Sequence, residues 1–161
     1  MANEGASGSE AGPAEIREEA VPGVFRLEDQ VGFLLRIATQ RSAALFAARA
    51  VDGLTPPQFA TLAKLRETGL CSQNRLGRLV YLDAATIKGV VDRLRARNLV
   101  QVTDDPTDRR RRALALTERG RQVTEAAIEV ARSVGEATLA PLTADERRQV
   151  FALLRKMAEL P

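Results

Sequence analysis

Asp104-Asp105-Pro106-Thr107-Asp108-Arg109-Arg110-Arg111-Arg112-Ala113-Leu114-Ala115-Leu116-Thr117-Glu118-Arg119-Gly120 is the stretch on which the fold of this 161-residue chain turns. It opens as a turn, because proline fixes φ and aspartate hydrogen-bonds its own local backbone. Four consecutive arginines follow, then the short apolar run Ala113 to Leu116, and Thr117 with Gly120 begins a new element. The order predicts a β-hairpin with its positive charge concentrated at the tip. Such a hairpin reaches along a phosphate backbone or into a minor groove. Side chains alternate along a strand, so at most two of the arginines 109–112 share a face.

The residues upstream read as a helix-turn-helix. Ser72 is placed to cap a helix carrying Leu76, Leu79 and Val80, and Asp83 to cap another with Ile87, Val90, Val91 and Leu94 facing inward. Asn98 follows as a residue able to take the left-handed conformation past a helix end. Leu99 to Val102 reads as the first hairpin strand and Arg112 to Leu116 as the second. Before this unit, Thr55-Pro56-Pro57 is an N-cap with proline at the first helical position. Phe59, Leu62 and Leu65 line that helix, which ends near Gly69.

Helical spacing of Val31, Leu34, Leu35, Ala38, Leu45 and Phe46 predicts a long helix over about 27–50. After Thr117 a helical pattern of Val123, Ala127, Val130 and Val134 runs to about Leu139. Pro141-Leu142-Thr143 breaks it and caps a last helix with Val150, Phe151, Leu154 and Met157. The fold class is therefore mainly α (α+β), a winged helix-turn-helix between terminal helices. We divide the chain into a disordered tail 1–24, an N-terminal dimerisation helix 25–52, a DNA-binding domain 53–117 and C-terminal dimerisation helices 118–161. The terminal helices carry apolar stripes that the monomer cannot cover, and packing against a second copy in a two-fold dimer covers them most simply.

Composition sets further bounds. The chain is 45% hydrophobic and 4% aromatic, which favours helices with aliphatic cores. Charge is uneven. Residues 1–24 hold five acids and one base, whereas residues 72–121 hold twelve bases and six acids. The basic half contains the hairpin, so an anionic polymer is the expected partner. Cys71 is the sole cysteine and histidine is absent. That excludes an internal disulfide and a thiolate cluster, and it removes the usual general base and zinc ligand. No metal, no cofactor and no enzymatic activity are expected. No run approaches the roughly 20 apolar residues of a membrane helix, and the amino end lacks the features of a signal peptide. A cytoplasmic protein with no membrane partner follows.

Leu54-Thr55-Pro56-Pro57-Gln58-Phe59, Asp83-Ala84-Ala85-Thr86-Ile87, Val91-Asp92-Arg93-Leu94, Asn98-Leu99-Val100, Asp105-Pro106-Thr107-Asp108-Arg109-Arg110, Leu116-Thr117-Glu118-Arg119-Gly120 and Leu142-Thr143-Ala144-Asp145-Glu146 together resemble the MarR family of bacterial transcription regulators. The order and spacing of these pieces carry the resemblance, over about 27–160. It implies a homodimer on a palindromic double-stranded DNA operator, usually a repressor released by a small molecule. Asn98 stands where a glycine is common, and Val102 where an arginine is frequent.

The early residues of a second helix in a helix-turn-helix face base edges, here Ala84, Ala85, Thr86 and Lys88. Thr86 can bond a base edge or touch a thymine methyl, and Lys88 can donate to guanine or a phosphate. Solvated helix positions are the alternative. Asn74, Arg75, Arg78 and Arg93 are phosphate-contact candidates, or plain surface charges. By the family pattern Asp108 braces the wing, Arg109, Arg110 and Arg111 meet DNA with Arg110 in the minor groove, and Arg112 turns back to the body of the domain.

The same resemblance places an effector, an aromatic carboxylate or aromatic acyl-coenzyme A thioester, against Arg36, Thr39, Ser42, Phe46 and Phe59. A guanidinium binds carboxylate bidentately and Phe46 or Phe59 can stack on a ring. For Arg36 an intersubunit salt bridge is the alternative. Cys71 admits a redox-sensing reading, against a half-buried spacer thiol as the default. Activation in place of repression is a further alternative, and an architectural DNA binder would lack a specificity ratio of about 10³ over random DNA.

Overall fold

The computed structural model describes residues 25–104 and 112–160. The tail 1–24 and the hairpin tip, including Asp108, Arg109, Arg110 and Arg111, lie outside the described residues. Among the described residues, six α-helices and two paired strands appear in the expected order: α1 (Val31–Arg49), α2 (Pro56–Thr68), α3 (Gln73–Leu79), α4 (Ala84–Ala96), β1 (Val100–Asp104), β2 (Arg112–Leu116), α5 (Glu118–Thr138) and α6 (Ala144–Met157).

Capping chemistry fixes most of these boundaries. The Thr55 N–H donates to Gln58 Oε1 at 3.0 Å, and Pro56 starts α2. Ser72 Oγ accepts from the Arg75 N–H at 3.4 Å, Thr117 Oγ1 from the Gly120 N–H at 2.9 Å. The Thr143 N–H donates to Glu146 Oε2 at 2.8 Å. Helix α4 ends with Leu99 N–H on the Leu94 carbonyl and Asn98 N–H on the Arg95 carbonyl, at 3.0 and 2.9 Å. That pair of bonds is a Schellman motif. It needs a left-handed residue, and Asn98 supplies φ 56.

The strands pair antiparallel, from Val100 opposite Leu116 to Asp104 opposite Arg112. Leu99, expected in the first strand, instead spends its N–H on the end of α4. Cys71 exchanges both backbone bonds with Leu114, at 3.2 and 2.8 Å, adding a one-residue third strand. The sequence reading of Cys71 as a half-buried turn thiol is thereby corrected: the residue is 2% exposed inside the core. Leu54, Leu62, Leu65, Leu76, Ile87, Val90, Val91, Leu94, Leu99, Leu114 and Leu116 complete that core. Two glycines permit the closest approaches. A β-carbon at Gly77 would meet Ile87 Cγ2 at 3.0 Å, and one at Gly120 would overlap the Leu99 carbonyl.

The first helix is shorter than expected. Leu27–Asp29 is a separate 3-10 turn, Gln30 is extended, and α1 begins at Val31. A second 3-10 turn, Val51–Gly53, contains Asp52 and Gly53 at φ 53 and 60, which reverse the chain into α2. Helix α1 packs along α5 and buries only Phe46. Val31, Leu34 and Leu35 of α1 are exposed, as are Phe151, Leu153, Leu154 and Met157 of α6. Apolar faces of this extent on the surface of one chain mark an interaction surface. Among the described residues no helix is long and apolar enough to cross a membrane.

Candidate nucleic-acid interface and ligand cavity

Asp83 organises the start of α4. Its Oδ1 accepts from the Thr86 N–H at 2.9 Å and its Oδ2 from the Thr86 hydroxyl at 2.6 Å. The hydroxyl, and then the backbone N–H, of Thr86 hold the Asp83 carboxyl below its ordinary value. The Thr86 hydroxyl proton is therefore committed to the cap. This narrows the expectation for Thr86: toward a base it offers an acceptor lone pair and a methyl group, not a donor. Ala84 and Ala85 are exposed beside it, leaving space for close approach.

Lys88 Nζ lies 2.7 Å from Asp92 Oδ2 while most of its side chain stays exposed, and this bond is the main cause of the lowered Asp92 carboxyl. The ammonium keeps two further protons, so Lys88 can donate to a base or phosphate with or without Asp92. Arg93 folds back along α4, its guanidinium 3.5 Å from where a Gly89 β-carbon would stand. Asn74, Arg75 and Arg78 project from α3 into solvent. Arg75, Arg78 and Arg93 form no ion pair among the described residues, whereas Arg66, Arg95, Arg97, Arg112, Arg119 and Arg121 each have an acidic partner. Cations without an acidic partner are the ones free to meet an anionic polymer.

Arg112 does not turn back to the domain body. Its Nη1 meets Asp104 Oδ1 at 2.6 Å across the hairpin, because the two residues are register partners. A polar groove of about 630 Å³ separates α4 from the hairpin, lined by Asp92, Arg95, Gln101 and Arg112 among others. Arg95 and Gln101 were not singled out from the sequence. Only the docking of the hairpin on α4 brings them together.

A second concavity lies between α1, α2 and α5. It encloses about 400 Å³ and is lined by Thr39, Ser42, Ala43, Phe46, Pro56, Phe59, Ala131, Val134 and Gly135. Phe46 and Phe59 meet with ring centroids 5.5 Å apart at 44°. Four of the five residues singled out for an effector, Thr39, Ser42, Phe46 and Phe59, share this wall. Arg36 does not line it. Its Nη1 donates to Gln40 Oε1 at 3.3 Å and its guanidinium lies 4.9 Å above the Phe33 ring. Intrahelical partners one turn away hold Arg36 off the cavity. The α5 contribution was missed, although Ala131 and Gly135, four residues apart, are the kind of small pair that opens space beside a helix. A β-carbon at Gly135 would meet nothing within 4 Å.

Comparisons with known proteins bear on the family and the fold. The MarR family model matches residues 54–111. The transcriptional repressor NicR of Pseudomonas putida is 45% identical over 84% of this chain and 86% of its own length. A probable transcriptional regulator from Pseudomonas aeruginosa has a solved structure that is 51% identical, with TM-score 0.78, over 82% of this chain and 99% of the other. The structure of BpsR of Bordetella bronchiseptica, whose DNA binding is regulated by 6-hydroxynicotinic acid, is 38% identical, with TM-score 0.79, over 86% of this chain and all of the other (100%). With a relative of that similarity covering most of its length, and with the winged helix-turn-helix in place, this chain belongs to the MarR family of DNA-binding transcription regulators.

Proposed function

We propose that the chain is a repressor that binds a palindromic operator as a homodimer and is released by a small aromatic acid. The observation that carries the reading is the cavity between α1, α2 and α5, with its aromatic pair and two hydroxyls. Its volume falls in the range of small-molecule sites, which are mostly apolar with a few convergent polar groups. Phe46 and Phe59 offer a stacking surface for a single ring, and Thr39 and Ser42 offer hydrogen bonds to its substituents. Arg36, one turn from Thr39 on α1, supplies the carboxylate partner by exchanging Gln40 for the ligand. That NicR is a repressor and BpsR answers to 6-hydroxynicotinic acid supports a hydroxylated or nitrogen-containing ring. An acyl-coenzyme A thioester has to extend outside this cavity.

Dimerisation through α1, α5 and α6 accounts for the exposed apolar faces of the terminal helices. The two α4 helices then stand about one turn of DNA apart, ~34–36 Å, or a multiple of it, to engage both half-sites. Bound ligand shifts that spacing only through its differential affinity for the two arrangements. The buried thiol of Cys71 gives the redox alternative no support.

Melting the protein against nicotinic, hydroxynicotinic and hydroxybenzoic acids tests the reading. A ligand at 100 times its dissociation constant adds about 2.7 kcal/mol of stability. The same acid should release the protein from its operator. Absence of any shift across the panel would refute an aromatic-acid effector.

A further inference from the structure

Tyr81, in the turn between α3 and α4, has no role in the core. It is the only tyrosine of the chain and, at 76% exposure, the most exposed of the large apolar side chains among the described residues. Its neighbours Val80 and Leu82 pack against the core, so the ring itself is not needed to close the domain. Its hydroxyl has no hydrogen-bond partner among the described residues.

Its backbone is also costly. Leu82 N–H bonds the Gly77 carbonyl at 2.9 Å and Tyr81 N–H the Arg78 carbonyl at 3.3 Å, a second Schellman motif. The left-handed position of that motif is normally glycine, yet Tyr81 occupies it at φ 56. Asn98 holds the same position after α4, but asparagine tolerates it. Glu159 holds it after the last helix, beside the chain end. A bulky aromatic kept in an unfavourable conformation, exposed and unpartnered, points to a ligand for the side chain.

The location names that ligand. Tyr81 stands two residues before Asp83, the cap of α4, and three after Arg78, a cation with no ion pair among the described residues. Ala84 and Ala85, on the first turn of α4, are small and exposed. We propose that Tyr81 is a DNA-contact residue, donating its phenolic hydroxyl to a backbone phosphate beside the major groove that α4 enters. Tyrosine hydroxyls contact phosphates in protein–DNA interfaces and fix register, not sequence. The inference rests on the DNA-binding reading above and adds a residue to it.

The test uses the full chain and a duplex that the parent protein selects from a randomised library. Dissociation constants are measured over a salt titration for the parent, Tyr81→Phe and Tyr81→Gly, with melting temperatures alongside. Loss of a hydrogen bond to a charged phosphate predicts about a tenfold weaker complex for Tyr81→Phe. The salt slope stays unchanged, because a neutral phenol releases no counterion. Tyr81→Gly should bind at least as weakly while melting about 2–4 °C higher, as the left-handed strain is relieved. Parental affinity in Tyr81→Phe, or a loss confined to Tyr81→Gly, overturns the inference alone. A parent protein that selects no sequence overturns the DNA-binding reading with it.

Discussion

Asp52 Oδ2 accepts a hydrogen bond from Arg119 Nη2 at 2.9 Å, and Arg97 Nη2 stands 3.1 Å from the same oxygen. Arg97 Nη2 also donates to the Asp52 carbonyl, and Arg119 Nη1 to the Arg97 carbonyl at 3.1 Å. One carboxylate thus ties the α1–α2 turn to the end of α4 and the start of α5. Asp52 lies four residues before Pro56, which lines the cavity between α1, α2 and α5. Asp52→Asn keeps a residue that accepts φ 53 and removes the charge, so it should cost about 1 kcal/mol. Asp52→Ala also loses left-handed tolerance and should cost about 1 kcal/mol more. Urea denaturation orders the two variants, and equal stability would show that the left-handed backbone carries no cost.

Gly120→Ala should destabilise the protein by about 2–3 kcal/mol, because its β-carbon has only the rigid Leu99 carbonyl to displace. Calorimetry checks this. A variant as stable as the parent would mean that α5 can move off the hairpin at no cost.

Gly135→Leu should fill the open space of the cavity. Nothing lies within 4 Å of the added β-carbon, and replacing a mid-helix glycine favours the helix by about 1 kcal/mol. The expected variant is as stable as the parent, yet shows no melting shift with any aromatic acid. A parental shift would place the effector elsewhere.

The Asp83 cap makes a signed contribution to pH dependence. Its folded carboxyl is lowered by the Thr86 hydroxyl and N–H, so the stabilisation is present above the ordinary carboxylate value of 3.8 and is lost as pH falls through the lowered one. Asp83→Asn caps nearly as well without titrating. The stability difference between parent and Asp83→Asn, measured at neutral pH and again in acid, should shrink as the carboxyl protonates. A difference that persists in acid would assign the effect to packing.

Arg110→Ala should weaken operator binding by about 1–3 kcal/mol and reduce the salt slope by about one. This contrasts with the unchanged slope expected for Tyr81→Phe. An unaltered affinity over the titration would remove the wing tip from the interface.

Much of this architecture is written in short-range chemistry. Thr55-Pro56, Ser72, Asp83, Thr117 and Thr143 each fix a helix start with a side chain within three residues, and the Ile87–Leu94 spacing fixes the buried face of α4. Interactions chosen by tertiary context were not legible. The Cys71–Leu114 bridge pairs single residues far apart in sequence and leaves no periodic trace. Arg36 is the exception, since Gln40 and Phe33 are short-range partners on its own helix, whereas Arg112 meets Asp104 only through the register of the hairpin. The α5 wall of the cavity was hidden for the same reason: Ala131 and Gly135 become informative only when α1 lies across them.

Under the proposed function two chains act together on one duplex, and an aromatic acid between α1, α2 and α5 ends the association. Sedimentation of the protein–operator complex, with and without an acid that raises the melting temperature, tests it most directly. Two chains per duplex are expected in the absence of the acid, and free duplex in its presence. One chain per duplex, or a complex unchanged when the acid saturates the protein, would contradict it.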